Sequence, residues 1–425
     1  MKRRSLLVGA VFAAVMSAVP ALAQTTLRFT WYSDGVEGEV MQDLLKRFEA
    51  KNPDVKVVLD TVPFKAINEN LPVQLAAGQG PDLARVVDLG GVSPFMLDLR
   101  PHLKDAAYWT DNFGPFLAWM RQPGDAASIP GYMTQLTVTG PLVNKTLFEQ
   151  AGVALPGPKA TWEDWAKAAK AVADKVKAPY PLAIDRSGHR FYALALSYGA
   201  KMVGADGKAA PVDEGFRRAA TLVADWHKSG VMSKELWGSV SGTAYRGANE
   251  EFKNAQVPVY YSGSWQIAQF DKTIGDAFDW IAAPNPCGTA HCTGMPGGAA
   301  VVAIKTTRHP KEVARLMEYL TSEDVLSEFY ARSLFVPGHL GIAKKGVAYK
   351  DAKPAAAAAL KVFGDQVAAV SPSAYEAQGY VFNRIIFNAT ISRLGQAIAG
   401  EGTLDEAFAR IAADVTQQIA ERQKK

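Results

Sequence analysis

The chain has 425 residues, with 46 Lys and Arg against 42 Asp and Glu, a formal net charge of +4, and 48% apolar residues. That length exceeds what one hydrophobic core usually organises, so two lobes of roughly 150–200 residues each are expected. Residues 1–23 hold three cations, Lys2, Arg3 and Arg4, and no acid, which leaves +4 less three, or +1, on the rest. A near-neutral surface argues against nucleic acid or a polyanionic membrane as partner.

Taken in chain order, the first element is a leader. Lys2, Arg3 and Arg4 form a basic head, residues 6–19 are apolar, and Ala21-Leu22-Ala23 is a small-x-small cleavage signal, so cleavage is expected after Ala23, with export to a Gram-negative periplasm. Arg3-Arg4 also resembles a twin-arginine signal, alongside a plain Sec reading. No Cys stands at the cleavage point to carry lipid, and no later apolar run is long enough to span a bilayer, so an exported soluble protein is expected.

Residues 25–91 organise the chain. Apolar strand-like runs at 27–31 and 55–59, with a third before Arg85, alternate with stretches in which Val40, Leu44, Leu45 and Phe48 recur at helical spacing. This alternation predicts βαβ units and a parallel sheet, with the ligand crevice outside the carboxyl ends of the strands. Residues 31–37 and 85–91 should then share one rim. On them Asp34, Glu37 and Asp88 supply acceptors, and Trp31 and Tyr32 supply flat apolar faces.

Residues 97–119 read as loops and short helices. A β-branched run at 134–139 is expected to leave the first lobe as a strand, followed by helices at 146–151 and from Thr161, whose Asp164 three residues on suggests a cap. Strands follow at 180–184, 257–262, 280–283 and 299–304, with helices at 213–229 and 310–320. The first of these strands leads into His189-Arg190-Phe191 and the second into Gly263-Ser264-Trp265. Helices at 355–370, 377–399 and 403–423 close the chain. Cys287 and Cys292 lie on a Gly-rich loop; in an oxidising compartment they predict a local disulfide, since adding His291 gives only an incomplete zinc set.

Several short pieces, in this order, resemble a known family. They are Phe48-Glu49-Ala50-Lys51-Asn52-Pro53, Ala76-Ala77-Gly78-Gln79-Gly80-Pro81-Asp82, Asn144-Lys145-Thr146-Leu147-Phe148, Gly263-Ser264-Trp265, Gly297-Gly298 and Gly400-Glu401-Gly402-Thr403-Leu404. The order is similar to that of extracellular solute-binding proteins of ABC importers, in the carbohydrate branch that includes maltose-binding protein. The resemblance implies an α/β, two-lobe periplasmic-binding-protein fold of type II, with two or three hinge crossings. It implies residues 24–135 and 285–336 in one lobe, and 136–284 and 337–425 in the other. It also implies a monomer that carries a mono- or oligosaccharide to the transmembrane subunits of a permease, with no cofactor, no metal and no catalysis.

Sugar recognition needs aromatic faces for C–H surfaces and planar polar groups for hydroxyls. The resemblance places stacking aromatics at Trp265 and Tyr380 and second-lobe contacts at His189 and Arg190; Trp162, Trp165 and Trp226 read as helix-face core. Gly297 and Gly298 complete the ligand-facing set. Arg85 and Arg384 suit a carboxylate or phosphate, which keeps a sugar acid or glycerol phosphate open, or they pair with Asp82, Asp88 or Glu376. Gln135, on the crossing strand, fits either role. Two further readings are a glycoside-acting enzyme using Asp34 and Asp88 and a ferric-ion receptor using Tyr260-Tyr261. Strand alternation turns those two phenols to opposite faces.

Overall fold

A computed structural model describes residues 24–33 and 35–424. The expected leader and the candidate Asp34 therefore lie outside the described residues. Eight strands form one continuous sheet: β1 (Thr25–Trp31), β2 (Val55–Thr61), β3 (Leu83–Val86), β4 (Gly131–Asn144), β5 (Leu182–Ile184), β6 (Val259–Gly263), β7 (Trp280–Ala282) and β8 (Pro296–Ala303). Their order is β2-β1-β3-β8-β4-β6-β5, with β7 also on β4. β1 runs parallel to both β2 and β3, so the alternation read from residues 25–91 does build a parallel sheet. Val40, Met41, Leu44, Leu45 and Phe48 of helix Glu37–Lys51 are buried, at the spacing that predicts the helix.

The sheet divides into two lobes at β4. Residues 131–138 of this fourteen-residue strand pair with β8, and residues 139–144 pair with β6 and β7. The register slips between Met133 and Gln135, within the half paired with β8, a bulge of the kind that bends a strand. Three segments lie side by side there: β4, the start of β8, and Val336, whose carbonyl accepts a hydrogen bond from the Leu136 amide at 3.0 Å. Every residue of β4 is buried, the polar Thr134, Gln135, Thr137 and Thr139 included.

Local signals match several elements. Thr161 and Asp164 cap helix Trp162–Val176 reciprocally, as Thr403 and Glu406 cap Leu404–Gln423. Gly78 ends its helix at φ +71°. Cys287 and Cys292 are joined in a disulfide, so neither thiolate is left for zinc.

Two expectations are corrected, and one segment gains an element. Residues 97–119 contain a full helix, Ala106–Met120, capped by Asp105, with Trp109, Phe113, Phe116, Leu117 and Met120 on its buried face. His189 and Arg190, which sequence reading assigned to no element, lie in the first turn of helix Gly188–Ser197. The single helix expected at 377–399 is two helices, Pro372–Gly379 and Asn383–Ala399. Tyr380 is extended between them, and Asn383 donates to the Gln378 carbonyl at 2.7 Å to hold the corner.

Candidate functional site

The carboxyl ends of β1 and β3 meet on one rim, because the two strands are parallel neighbours. Four first-lobe candidates come together there. Arg85, fully buried, donates from Nη1 to the Tyr32 carbonyl at 2.5 Å and to Glu37 Oε1 at 2.8 Å, and from Nη2 to Gln135 Oε1 at 3.0 Å. Its guanidinium lies 4.2 Å from the Tyr32 ring and 4.8 Å from the Trp31 ring. Glu37, equally buried, accepts the Gly35 amide at 2.8 Å.

Arg85 therefore pairs with Glu37, and neither Asp82 nor Asp88 is its partner. Asp82 is taken up by the Arg28 amide and the Thr307 hydroxyl. Asp88 caps the short helix Leu89–Val92 by accepting the Gly91 amide at 3.1 Å. Trp31, with no exposed surface, packs edge-on against Phe29 and Phe329 in the core. Tyr32 is also buried and meets Phe64 edge-on at 5.1 Å. The network shapes the lip of the first lobe from within.

The second-lobe rim centres on Asp185, just past β5, which sequence reasoning did not nominate. Asp185 is fully buried and takes four donors: Tyr260 Oη at 2.5 Å, Ser262 Oγ at 2.8 Å, Tyr245 Oη at 3.0 Å and Arg190 Nε at 3.1 Å. Burial, followed by the Asp185 charge, pushes the Tyr260 hydroxyl well above its ordinary pKa, so it stays a donor. Tyr261 points the other way, toward Asn285 and Thr139, so the two phenols do not share an ion.

Trp265 is half-buried behind this cluster. A Cβ on Gly263 would fall 2.1 and 2.3 Å from Cζ3 and Cη2 of the indole and 2.8 Å from Cε3. An atom in the ring plane could not be that near all three, so the glycine backbone lies beneath the benzo ring. The Arg190 guanidinium lies 4.1 Å from the ring centroid, a distance reached only over a face. Gly263 and Arg190 therefore both pack on faces of the Trp265 indole.

His189 sits beside them. Its Nε2 donates to the Pro296 carbonyl at 3.0 Å, and its ring meets Phe387 edge-on at 5.7 Å. Burial first, then the nearby Arg190 and Arg384 charges, pushes its pKa down to about 3. The ring is neutral, and Nδ1 is an acceptor without a partner among the described residues. Gly297 and Gly298 crowd the junction: a Cβ on Gly297 would fall 3.2 Å from His189 Nε2, and one on Gly298, at φ +151°, 2.2 Å from the Gln135 carbonyl. Close packing at the crossing explains both glycines.

Tyr380 and Arg384 lie at the corner before helix Asn383–Ala399, with the Tyr380 ring edge-on to Phe382 at 5.7 Å. Arg384 has no ion-pair partner among the described residues, Glu376 included. It is one helical turn from Phe387 and so shares the face that packs on His189. This corner reaches the first lobe, since a Cβ on Gly90 would fall 2.5 Å from the Val381 carbonyl.

The lobes meet at two further points. Phe64 and Tyr245 face each other edge-on with centroids 6.4 Å apart. Gly35 abuts Ala268, whose Cβ would lie 3.4 Å from a Cβ on the glycine. Phe64, Tyr245 and Ser262 thus join the candidate site, and the sequence reading missed them. Asp185 carried a usable signal, being at the carboxyl end of a strand like Asp88. Tyr245 carried none, because its segment has no periodicity. The residues along the lobe boundary offer planar donors, a neutral imidazole acceptor and aromatic faces from both lobes, a set suited to holding a polar ligand with apolar faces.

Known proteins share this fold. A binding protein of Brucella abortus (strain 2308) is 24% identical over 338 residues, covering 76% of this chain and 78% of that protein. An ABC substrate-binding protein from Listeria monocytogenes, solved in complex with cycloalternan, superposes with a TM-score of 0.77 at 19% identity, over 93% of this chain and 99% of that one. An ABC transporter solute-binding protein from Thermotoga lettingae, bound with alpha-D-tagatose, gives 0.75 at 21% identity over 93% and 99%. The family model described as bacterial extracellular solute-binding protein matches residues 32–326; the chain belongs to that family.

Proposed function

We propose that this chain is the substrate-binding component of an ABC sugar importer. It takes a mono- or oligosaccharide between its lobes and delivers it to the transmembrane permease subunits without chemical change. The reading includes export to the periplasm with cleavage after Ala23, a monomer in solution, and lobes made of residues 24–135 with 285–336 and 136–284 with 337–425. The observation that carries it is the contact of Tyr245, bonded to Asp185 beside Arg190 in one lobe, with Phe64 of the other. The sugar ligands of the Listeria and Thermotoga proteins support the ligand class. No described helix is long and apolar enough to cross a membrane.

Closure follows from differential contact. A ligand that touches both lobes gains contacts only when they close, and it shifts the equilibrium by that difference alone. A second reading, an anionic derivative such as a sugar acid or glycerol phosphate, is favoured by Arg384, which lacks an acidic partner among the described residues. Calorimetric titration with neutral sugars, sugar acids and glycerol phosphate, with chromatography of the recovered ligand, tests both. Binding with the ligand returned unaltered is expected; a converted product overturns the receptor reading.

A further inference from the structure

Arg190 is held on every side but one. Its Nε donates to Asp185 at 3.1 Å, its Nη1 reaches Ser187 Oγ at 3.4 Å, its face lies on Trp265 at 4.1 Å, and Tyr245 stands 5.5 Å away. A guanidinium has five N–H groups in a fixed fork. Two are engaged here, and the other three have no partner among the described residues. The side chain is 14% exposed. The indole it lies on also carries Gly263 against its benzo ring.

We propose that the outer edge of Arg190 is the group that reads the ligand, taking two adjacent oxygens of a sugar in the plane of the fork, and that Trp265 is a positioning residue behind it, with no stacking contact to the sugar. The inference rests on the reading of the chain as a sugar receptor and deepens it. The physical reason is preorganisation: a flexible arginine loses side-chain entropy on binding, whereas one already stacked and paired to a buried carboxylate loses little. The Asp185 charge offsets that of Arg190, so the fork can bind uncharged hydroxyls without an unpaired cation in the closed site.

The test is a double-mutant cycle by calorimetry on the full mature chain. The probes are maltotriose, arabinotriose, D-tagatose, D-glucuronate and sn-glycerol 3-phosphate, and the tightest binder is used throughout. Arg190→Lys keeps the charge but loses the fork, so it should raise Kd by about tenfold or more, and Arg190→Gln should do likewise. Trp265→Ala should also weaken binding, whereas Trp265→Phe, which keeps a flat backing, should restore it to within about threefold. Combining Trp265→Ala with Arg190→Gln should bind no worse than Arg190→Gln alone. Arg190→Gln keeps an amide donor for Asp185, and circular dichroism with the thermal midpoint confirms that each variant folds.

If Trp265→Ala costs the same factor in both backgrounds, the indole touches the sugar itself and the proposal fails. Probe binding that no Arg190 variant alters overturns this inference and leaves the receptor reading intact. Wild-type protein that binds none of the probes overturns both.

Discussion

Arg85 and Glu37 form an ion pair at 2.8 Å with neither side chain exposed to solvent. The pair joins the end of β3 to the first turn of helix Glu37–Lys51, and through Gln135 it reaches the bulge in β4. It thus ties the lip that meets the second lobe to the strand that crosses between lobes.

Removing one member leaves the other as an uncompensated buried charge, which costs about 3–5 kcal/mol. Glu37→Leu should lower urea-unfolding stability by that order. Glu37→Leu with Arg85→Met should cost less than Glu37→Leu alone, because the apolar pair leaves no charge unpaired. A double variant weaker than the single would show that the aromatic contacts of Arg85, and not its charge, dominate.

Gly263 lies under the Trp265 indole with no room for a methyl group. Gly263→Ala should displace the indole, with a stability cost of about 1–3 kcal/mol for overpacking. A shift in tryptophan emission and weaker ligand binding should accompany it. Unchanged emission and affinity would mean that the backbone can yield.

His189 and His227 are both neutral in the fold, pushed down to about 3 and about 4, burial being the largest cause in each. The unfolded chain binds protons below the ordinary histidine pKa of about 6.5, while the folded chain does not until near those lower values. Each histidine therefore contributes stability that is present above about pH 6.5 and lost as pH falls toward its folded value, with a limiting slope of about 1.4 kcal/mol per pH unit. Urea midpoints measured from pH 7 to pH 5 should fall, and His227→Gln should flatten the slope. A slope unchanged in the variant would place the proton uptake elsewhere.

Phe64 and Tyr245 meet edge-on across the lobe boundary, with centroids 6.4 Å apart. An aromatic pair of this geometry contributes about 0.5–1.5 kcal/mol, so Tyr245→Ala should shift the ligand-free population toward the open form. Small-angle scattering should report a larger radius of gyration for the variant without ligand and convergence of the two proteins with it. Identical ligand-free profiles would count against a role for this contact in closure.

The disulfide at Cys287–Cys292 closes a short loop whose neighbours Ala290 and His291 donate to the Ser197 carbonyl. By the loop-entropy relation it stabilises by about 2 kcal/mol. Cys287→Ser with Cys292→Ser should lower the thermal midpoint and leave ligand affinity unchanged, since neither sulfur borders the cleft residues described above.

Strand and helix order in residues 25–91, the capping boxes at Thr161 and Thr403, the disulfide pair and the opposed phenols of Tyr260 and Tyr261 were legible in the sequence. Each depends on local chemistry, on side-chain period or on short-range hydrogen bonding, which neighbours in the chain determine between them. The meeting of the 31–37 and 85–91 loops was legible for the same reason, because parallel strands put their carboxyl ends on one rim. What Trp31, Glu37 and Arg85 do once there was not: a buried charge is stable only with a partner, and the partner came from a helix start 48 residues away. Asp185, Tyr245 and Phe64 likewise became a site only when two lobes closed on each other. Trp265 offers a flat apolar face in sequence, and the fold covers that face with Gly263 and Arg190. Which surfaces remain for a ligand is a property of packing between distant segments, and only the tertiary structure decides it.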